Sequence, residues 1–164
     1  MYVVQPASNQ WTDRLTYRRE NAMPEPTDED PSFPAADGDM SVVTTLRETH
    51  GCPWNWRTCS AAAQAGQLEV LKWAKSRGCG FPWDVICAFA AVGGSIPVLR
   101  WARAQGCPWD AETCASAAEG GHLEMLKYLT SQGCPWDADT IAMATVNNHQ
   151  HILRWAVEKG CPTS

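Results

Sequence analysis

Two apolar patterns alternate along the last two thirds of the chain, and both carry a helical spacing. One reads RTCSAAAQ at 57–64, VICAFAAV at 85–92, AETCASAAE at 111–119 and ADTIAMATV at 138–146. The other reads LEVLKWAKS at 68–76, IPVLRWARA at 96–104, LEMLKYLTS at 123–131 and HILRWAVEK at 151–159. Small or aliphatic residues recur three and four positions apart in each, as on one face of an α-helix. Polar or glycine-bearing breaks, AGQ, GGS, GGH and NNH, separate the two patterns. Thr and Asp residues near the start of the first pattern can cap its free amides. Pro97 falls in a first turn, where a missing N–H is no loss. Glycine follows each second segment, at Gly78, Gly106, Gly133 and Gly160, as a left-handed C-cap requires. The pattern predicts four units of two short helices, at 51–77, 78–105, 106–132 and 133–159.

The units are joined by a repeated corner. GCPW starts at Gly51, Gly106 and Gly133, with GCGFPW at Gly78 and a shortened GCP at Gly160. Cys52, Cys79, Cys107, Cys134 and Cys161 are 27, 28, 27 and 27 residues apart. Trp73, Trp101, Tyr128 and Trp155 keep the same phase, each preceded by Lys72, Arg100, Lys127 or Arg154. A helix pair this small cannot bury its own apolar face, but stacked neighbours can. The expected fold is all-α: an α-solenoid of stacked helix pairs. Met40–His50 stands where a preceding second helix would, as a cap, and 160–164 reads as a truncated end.

The stretch Thr113–Leu129, TCASAAEGGHLEMLKYL, resembles the ankyrin repeat. Ala117 and Ala118 match that family's alanine pair, Gly121–His122 its break, and Met125 and Leu126 its paired aliphatics. The likeness extends from Gly51 to about Lys159. The period departs from it: about 33 residues in the family against 27 here, with the β-hairpin finger reduced to a CPWD corner. The resemblance implies protein–protein recognition without catalysis, and a break histidine, here His122 and His149, that makes local hydrogen bonds. It also implies that partners meet the first helix and the corner, at positions that vary from unit to unit.

Those positions, counted from the break, are Ala61, Phe89, Ser116 and Met143, each just before the alanine pair or its equivalent. Gln64, Val92, Glu119 and Val146 follow it. The candidate partner-binding residues are therefore Phe89, Val92, Met143 and Val146, with Gln64 and Glu119. The apolar members are the sharper candidates, because apolar residues exposed in a row mark contact surfaces.

The cysteines invite a metal reading, which their pattern opposes. Cys52 and Cys59, like Cys107 and Cys114, are separated by six residues, whereas zinc motifs place ligands two to four apart. The column Cys59, Cys87, Cys114 ends in Ile141. Isoleucine can replace a small buried apolar side chain but not a ligand, so this column reads as core thiols. A disulfide within a unit, Cys52 with Cys59 for example, stays open. The tryptophans of the corners and second helices read as staples between layers. The basic column Lys72, Arg100, Lys127 and Arg154 reads as a solvated face lying over those rings.

Charge and composition narrow the function further. The net charge of −5 is concentrated in the first 50 residues, with nine acidic against four basic; the rest balances at nine each. No basic excess is left to neutralise phosphates, so nucleic acid is not an expected partner. No apolar run approaches the length of a membrane span, and MYVVQPASNQ lacks a secretory pattern; an intracellular setting is expected. No nucleophile–base pair, phosphate loop or carboxylate pair can be assembled from the spacing. Neither an enzyme, a cofactor nor a small-molecule substrate is expected.

Before the repeats the chain changes character. Pro24–Asp39, PEPTDEDPSFPAADGD, is rich in proline and acid and poor in aliphatics. Such a segment cannot offset its ordering entropy, and 1–39 reads as an extended arm. Within it, 11–21 is amphipathic and locally basic, so Trp11, Leu15, Tyr17 and Arg18 form a candidate docking peptide. The leading functional reading is an adaptor or accessory subunit. An architectural role inside a large assembly is the alternative, and a thiol or zinc module is a distant third.

Overall fold

In the computed structural model, residues 32–38, 40–41, 56–79 and 82–162 are described. Four helix pairs follow one another: α2 (Trp56–Gln64) with α3 (Leu68–Ser76), α4 (Ile86–Val92) with α5 (Ile96–Ala104), α6 (Ala111–Glu119) with α7 (Leu123–Ser131), and α8 (Ala138–Val146) with α9 (Gln150–Glu158). A shorter helix, α1 (Ser32–Asp37), precedes them. Among the described residues there is no strand. The fold is the expected helical solenoid.

Backbone chemistry ends every helix in the same way. After the first helices, Gly66, Gly94, Gly121 and Asn148 take positive φ of 77°, 72°, 77° and 59°. The next N–H then reaches back five residues: Gln67 to the Ala62 carbonyl (2.8 Å), Ser95 to Ala90 (2.9 Å), His122 to Ala117 (3.0 Å) and His149 to Ala144 (2.8 Å). This is the Schellman closure, which favours glycine and tolerates asparagine at its left-handed position. The second helices repeat it. Cys79, Cys107, Cys134 and Cys161 donate to Ala74, Ala102, Leu129 and Ala156 at 2.9–3.0 Å. The GCPW corner is thereby explained letter by letter. Glycine supplies the left-handed residue, and cysteine closes the turn and is buried, 4–6% exposed in all four copies. Proline forbids further helix. The tryptophans of the three described corners are half-buried against the core.

Caps start the next helix where the sequence allows. Asp110 accepts from the Thr113 N–H at 3.2 Å while the Thr113 hydroxyl oxygen accepts from the Asp110 N–H at 3.2 Å, a capping box. Asp137 accepts from the Asp139 N–H at 3.0 Å, and Ser95 from the Val98 N–H at 3.4 Å. The second unit differs: between Trp83 and Cys87 it has one residue fewer than the others have between their counterparts. Its first helix opens with a 3₁₀ turn, Trp83–Val85, and is two residues shorter.

The first helices carry the stack. α1 packs on α2, α2 on α4, α4 on α6 and α6 on α8, while each second helix leans on its own partner. The alanine pairs Ala62–Ala63, Ala90–Ala91 and Ala117–Ala118 are fully buried, which lets neighbouring backbones approach. Leu71, Leu99 and Leu126 are fully buried at equivalent places of the second helices, and in α9 Ile152, one position earlier in phase, is fully buried.

One expectation needs correction. Within the proposed extended arm, 32–37 are helical, Ala35 is fully buried and α1 covers α2, while 1–31 and 39 lie outside the described residues. Gly38, with φ 77°, sits 28 residues before Gly66 and ends α1 as Gly66 ends α2. The Gln67 amide donates to the Ala36 carbonyl at 3.0 Å and ties the two layers together. The solenoid thus begins a layer earlier than the GCPW corners indicate. In the proposed cap at 40–50, Met40 and Ser41 are helical; 42–50 and Cys52 lie outside the described residues.

Candidate interaction surfaces

Gln64, Val92, Glu119 and Val146 form one column, at the last turns of α2, α4, α6 and α8. Successive layers touch along it. A side chain on Gly93 would run into the Gln64 carbonyl, and one on Gly120 into the Val92 carbonyl. The His149 Nε2 lies 3.0 Å from the Glu119 carbonyl. Gln64, Val92 and Glu119 are half-buried, and Val146, in the last layer, is 77% exposed. The structure brings these four predicted residues together on one side of the first helices.

The neighbouring column behaves differently. Phe89 is only 8% exposed and belongs to the core, and Ser116 is 2% exposed. Ala61 and Met143 are half-buried, Met143 against the core. Phe89 is therefore a core side chain and does not line an open groove. First helices are flanked on both sides by other first helices, so their buried face is wider than a single stripe. Trp11, Leu15, Tyr17 and Arg18 lie outside the described residues.

The thiols pair in an arrangement that spacing did not suggest. Cys59 Sγ lies 3.3 Å from Cys79 Sγ, 20 residues on, joining the first helix to the corner that closes its own unit. Cys87 Sγ approaches the Cys107 carbonyl at 3.9 Å. Cys134 and Cys161 donate to the carbonyls of Asp110 and Asp137 at 3.3 and 3.2 Å. The seven described cysteines are free and buried. Thiol–thiol hydrogen bonding, then burial, raises the pKa of Cys59, Cys87 and Cys114 far above the ordinary thiol range. Burial and the Asp137 carboxylate raise Cys161. These thiols stay protonated across the physiological range, and a protonated thiol is neither nucleophile nor metal ligand. Among the described residues no three His, Cys, Asp or Glu side chains gather as metal ligands would. Thiol reagents are expected to label Cys59, Cys87 and Cys114 slowly in the native protein, with no acceleration as pH rises through the ordinary thiol range. All should label after denaturation without reductant. Stoichiometric zinc, or thiols missing after denaturation, would overturn this reading.

The cations over the rings are also not the ones expected. Lys72 and Lys127 are exposed and pair with Glu69 and Glu124, at 2.7 Å each. Such surface pairs contribute little. The rings are met instead by Lys75 and Arg103, three residues further along the helix. Lys75 Nζ lies 5.4 Å from the Trp83 centroid and 5.7 Å from that of Trp101, and the Arg103 guanidinium lies 4.1 Å from Trp109. This column had no periodic basic signature, because it reads Lys75, Arg103, Thr130, Val157.

No family model matches the chain, and no curated protein matches it. Among solved structures, the crystal structure of the human ASB11 ankyrin repeat domain is similar. The likeness covers 80% of this chain and 69% of that one, with a TM-score of 0.58 and 15% sequence identity. Among the described residues no helix is long and apolar enough to cross a membrane. Stacked helix pairs closed by left-handed glycine turns, together with this likeness, give the chain an ankyrin-type repeat fold.

Proposed function

We propose that the protein is a non-catalytic recognition module, an adaptor or accessory subunit, that binds a protein partner along the column Gln64, Val92, Glu119 and Val146. The observation that carries this is the contrast between adjacent positions. The alanine pair before the column is the same in the first three units and fully buried. The column itself changes chemistry at every layer: amide, aliphatic, carboxylate, aliphatic. A repeat scaffold needs the first to be uniform and gains nothing structural from varying the second, so the variation supports recognition. The ankyrin-type fold supports the same general role.

The test uses the full chain as bait in quantitative affinity capture, beside Val92→Glu and Val146→Glu. Both substitutions lie at half-buried or exposed sites, so the melting temperature should stay close to that of the unsubstituted protein. Proteins that bind the column are expected to fall about tenfold or more, because a buried unpaired charge at a contact costs more than 1.4 kcal/mol. A capture profile unchanged by both substitutions would remove the column from the binding surface.

A further inference from the structure

A different surface is built from the corners and second helices, and its chemistry repeats from layer to layer. Lys75 of α3 reaches the corner indole of the next unit, Trp83, and the edge-to-face partner of that indole, Trp101, with ring centroids 6.0 Å apart. Its ammonium is held by the Gln105 side-chain oxygen at 3.1 Å. Arg103 of α5 reaches the next corner, Trp109, and donates to the Cys107 carbonyl at 2.6 Å. Twice, therefore, a cation from one second helix lies on the corner ring of the following unit.

At the third junction the same position is Thr130 of α7. Its hydroxyl turns back to its own helix, donating to the Leu126 and Lys127 carbonyls at 2.9 and 3.1 Å. The corner ring here is Trp136, half-buried, with Trp155 tilted against it at a centroid distance of 5.4 Å. Lys159 follows α9 as Arg77 follows α3, and Arg77 lies 5.6 Å from Trp73. Yet among the described residues no cation lies over Trp136 or Trp155.

We propose that Trp136 and Trp155 form a platform for an arginine or lysine side chain of a partner polypeptide. The chain's own packing identifies the occupant. The electron-rich ring faces attract cations, and the two equivalent junctions are filled by one basic side chain each. The platform is independent of the first-helix column, and either surface can fail without the other.

The test is a titration of the full chain with a capped Arg-Gly-Arg peptide, followed by the indole N–H signals in NMR. The same peptide with citrulline in place of arginine keeps the shape and removes the charge. The Trp136 and Trp155 signals are expected to shift saturably with the arginine peptide and not with the citrulline peptide. Thr130→Arg supplies the missing cation from within and should weaken the response about tenfold. Trp136→Ala should abolish it; Thr130→Arg gives the same answer without removing a packed ring. Equal shifts with both peptides, an undiminished response in Thr130→Arg, or no response of these two indoles would overturn the proposal.

Discussion

Gly120→Ala is expected to destabilise the protein by about 3 kcal/mol, at the upper end of what overpacking costs. Gly133→Ala is expected to cost only about 1–2 kcal/mol. The order reverses what backbone angles alone would suggest. Gly120 has φ −75° and ψ −9°, a conformation alanine adopts freely. Its obstacle is spatial: a Cβ there would penetrate the Val92 carbonyl of the layer below and press on the His122 ring. The carbonyl cannot yield easily, because it belongs to the last turn of α4. α4 and α6 would have to separate. Gly133 has φ 77° but open space around it, so alanine meets only the left-handed penalty.

The chain shows how a side chain can be tolerated at this place. Ala65 and Asn147 hold the equivalent position in the first and last units. There a side chain from the upper layer meets the carbonyl instead: Gln67 donates to Ala36, and the His149 ring lies against the Glu119 carbonyl. Direct backbone contact with glycine and a side-chain bridge without it are two solutions to one junction. Urea denaturation followed by circular dichroism gives both free energies. If Gly133→Ala proves the more damaging, the close approach of α4 and α6 is not what glycine provides at 120.

Much of this was legible in the sequence because the stack is local. The period, the two helices per unit and the turn glycines follow from short-range chemistry, and those elements stand where the spacing put them. Three features escaped, each for a physical reason. α1 was hidden by composition: proline and acid dominate 24–39, and only the 28-residue offset between Gly38 and Gly66 betrays a further layer. The thiol pairs escaped because their members are 20 residues apart and meet only when the second helix returns the chain to the corner that closes the unit. The tryptophan platform escaped because its signal is an interruption. Lys75 and Arg103 give way to Thr130, and a column that is basic only twice does not stand out beside the regular one at Lys72, Arg100, Lys127 and Arg154.

Phe89→Ala is expected to cost about 3–5 kcal/mol, the range for truncating a buried aromatic side chain. The ring is 8% exposed, on a helix flanked by α2 and α6. Its counterparts in those layers are Ala61 and Ser116, small enough to leave the volume that it fills. Alanine would therefore open a cavity between two alanine-rich helices with little side chain available to collapse into it. The loss falls in the middle of the stack. Nearest-neighbour coupling is what makes a solenoid cooperative, so weakening α4 should partly uncouple α1–α3 from α6–α9. Hydrogen exchange is expected to quicken throughout α4 and α5 and at both of their junctions, while Met143→Ala, at a half-buried site in the last layer, changes little beyond α8. Partner capture by the folded fraction should be unaffected in Phe89→Ala and reduced in Val92→Glu. A Phe89→Ala protein that stays within about 1 kcal/mol of its parent's stability but loses its partner would return Phe89 to the binding surface, one helical turn before Val92.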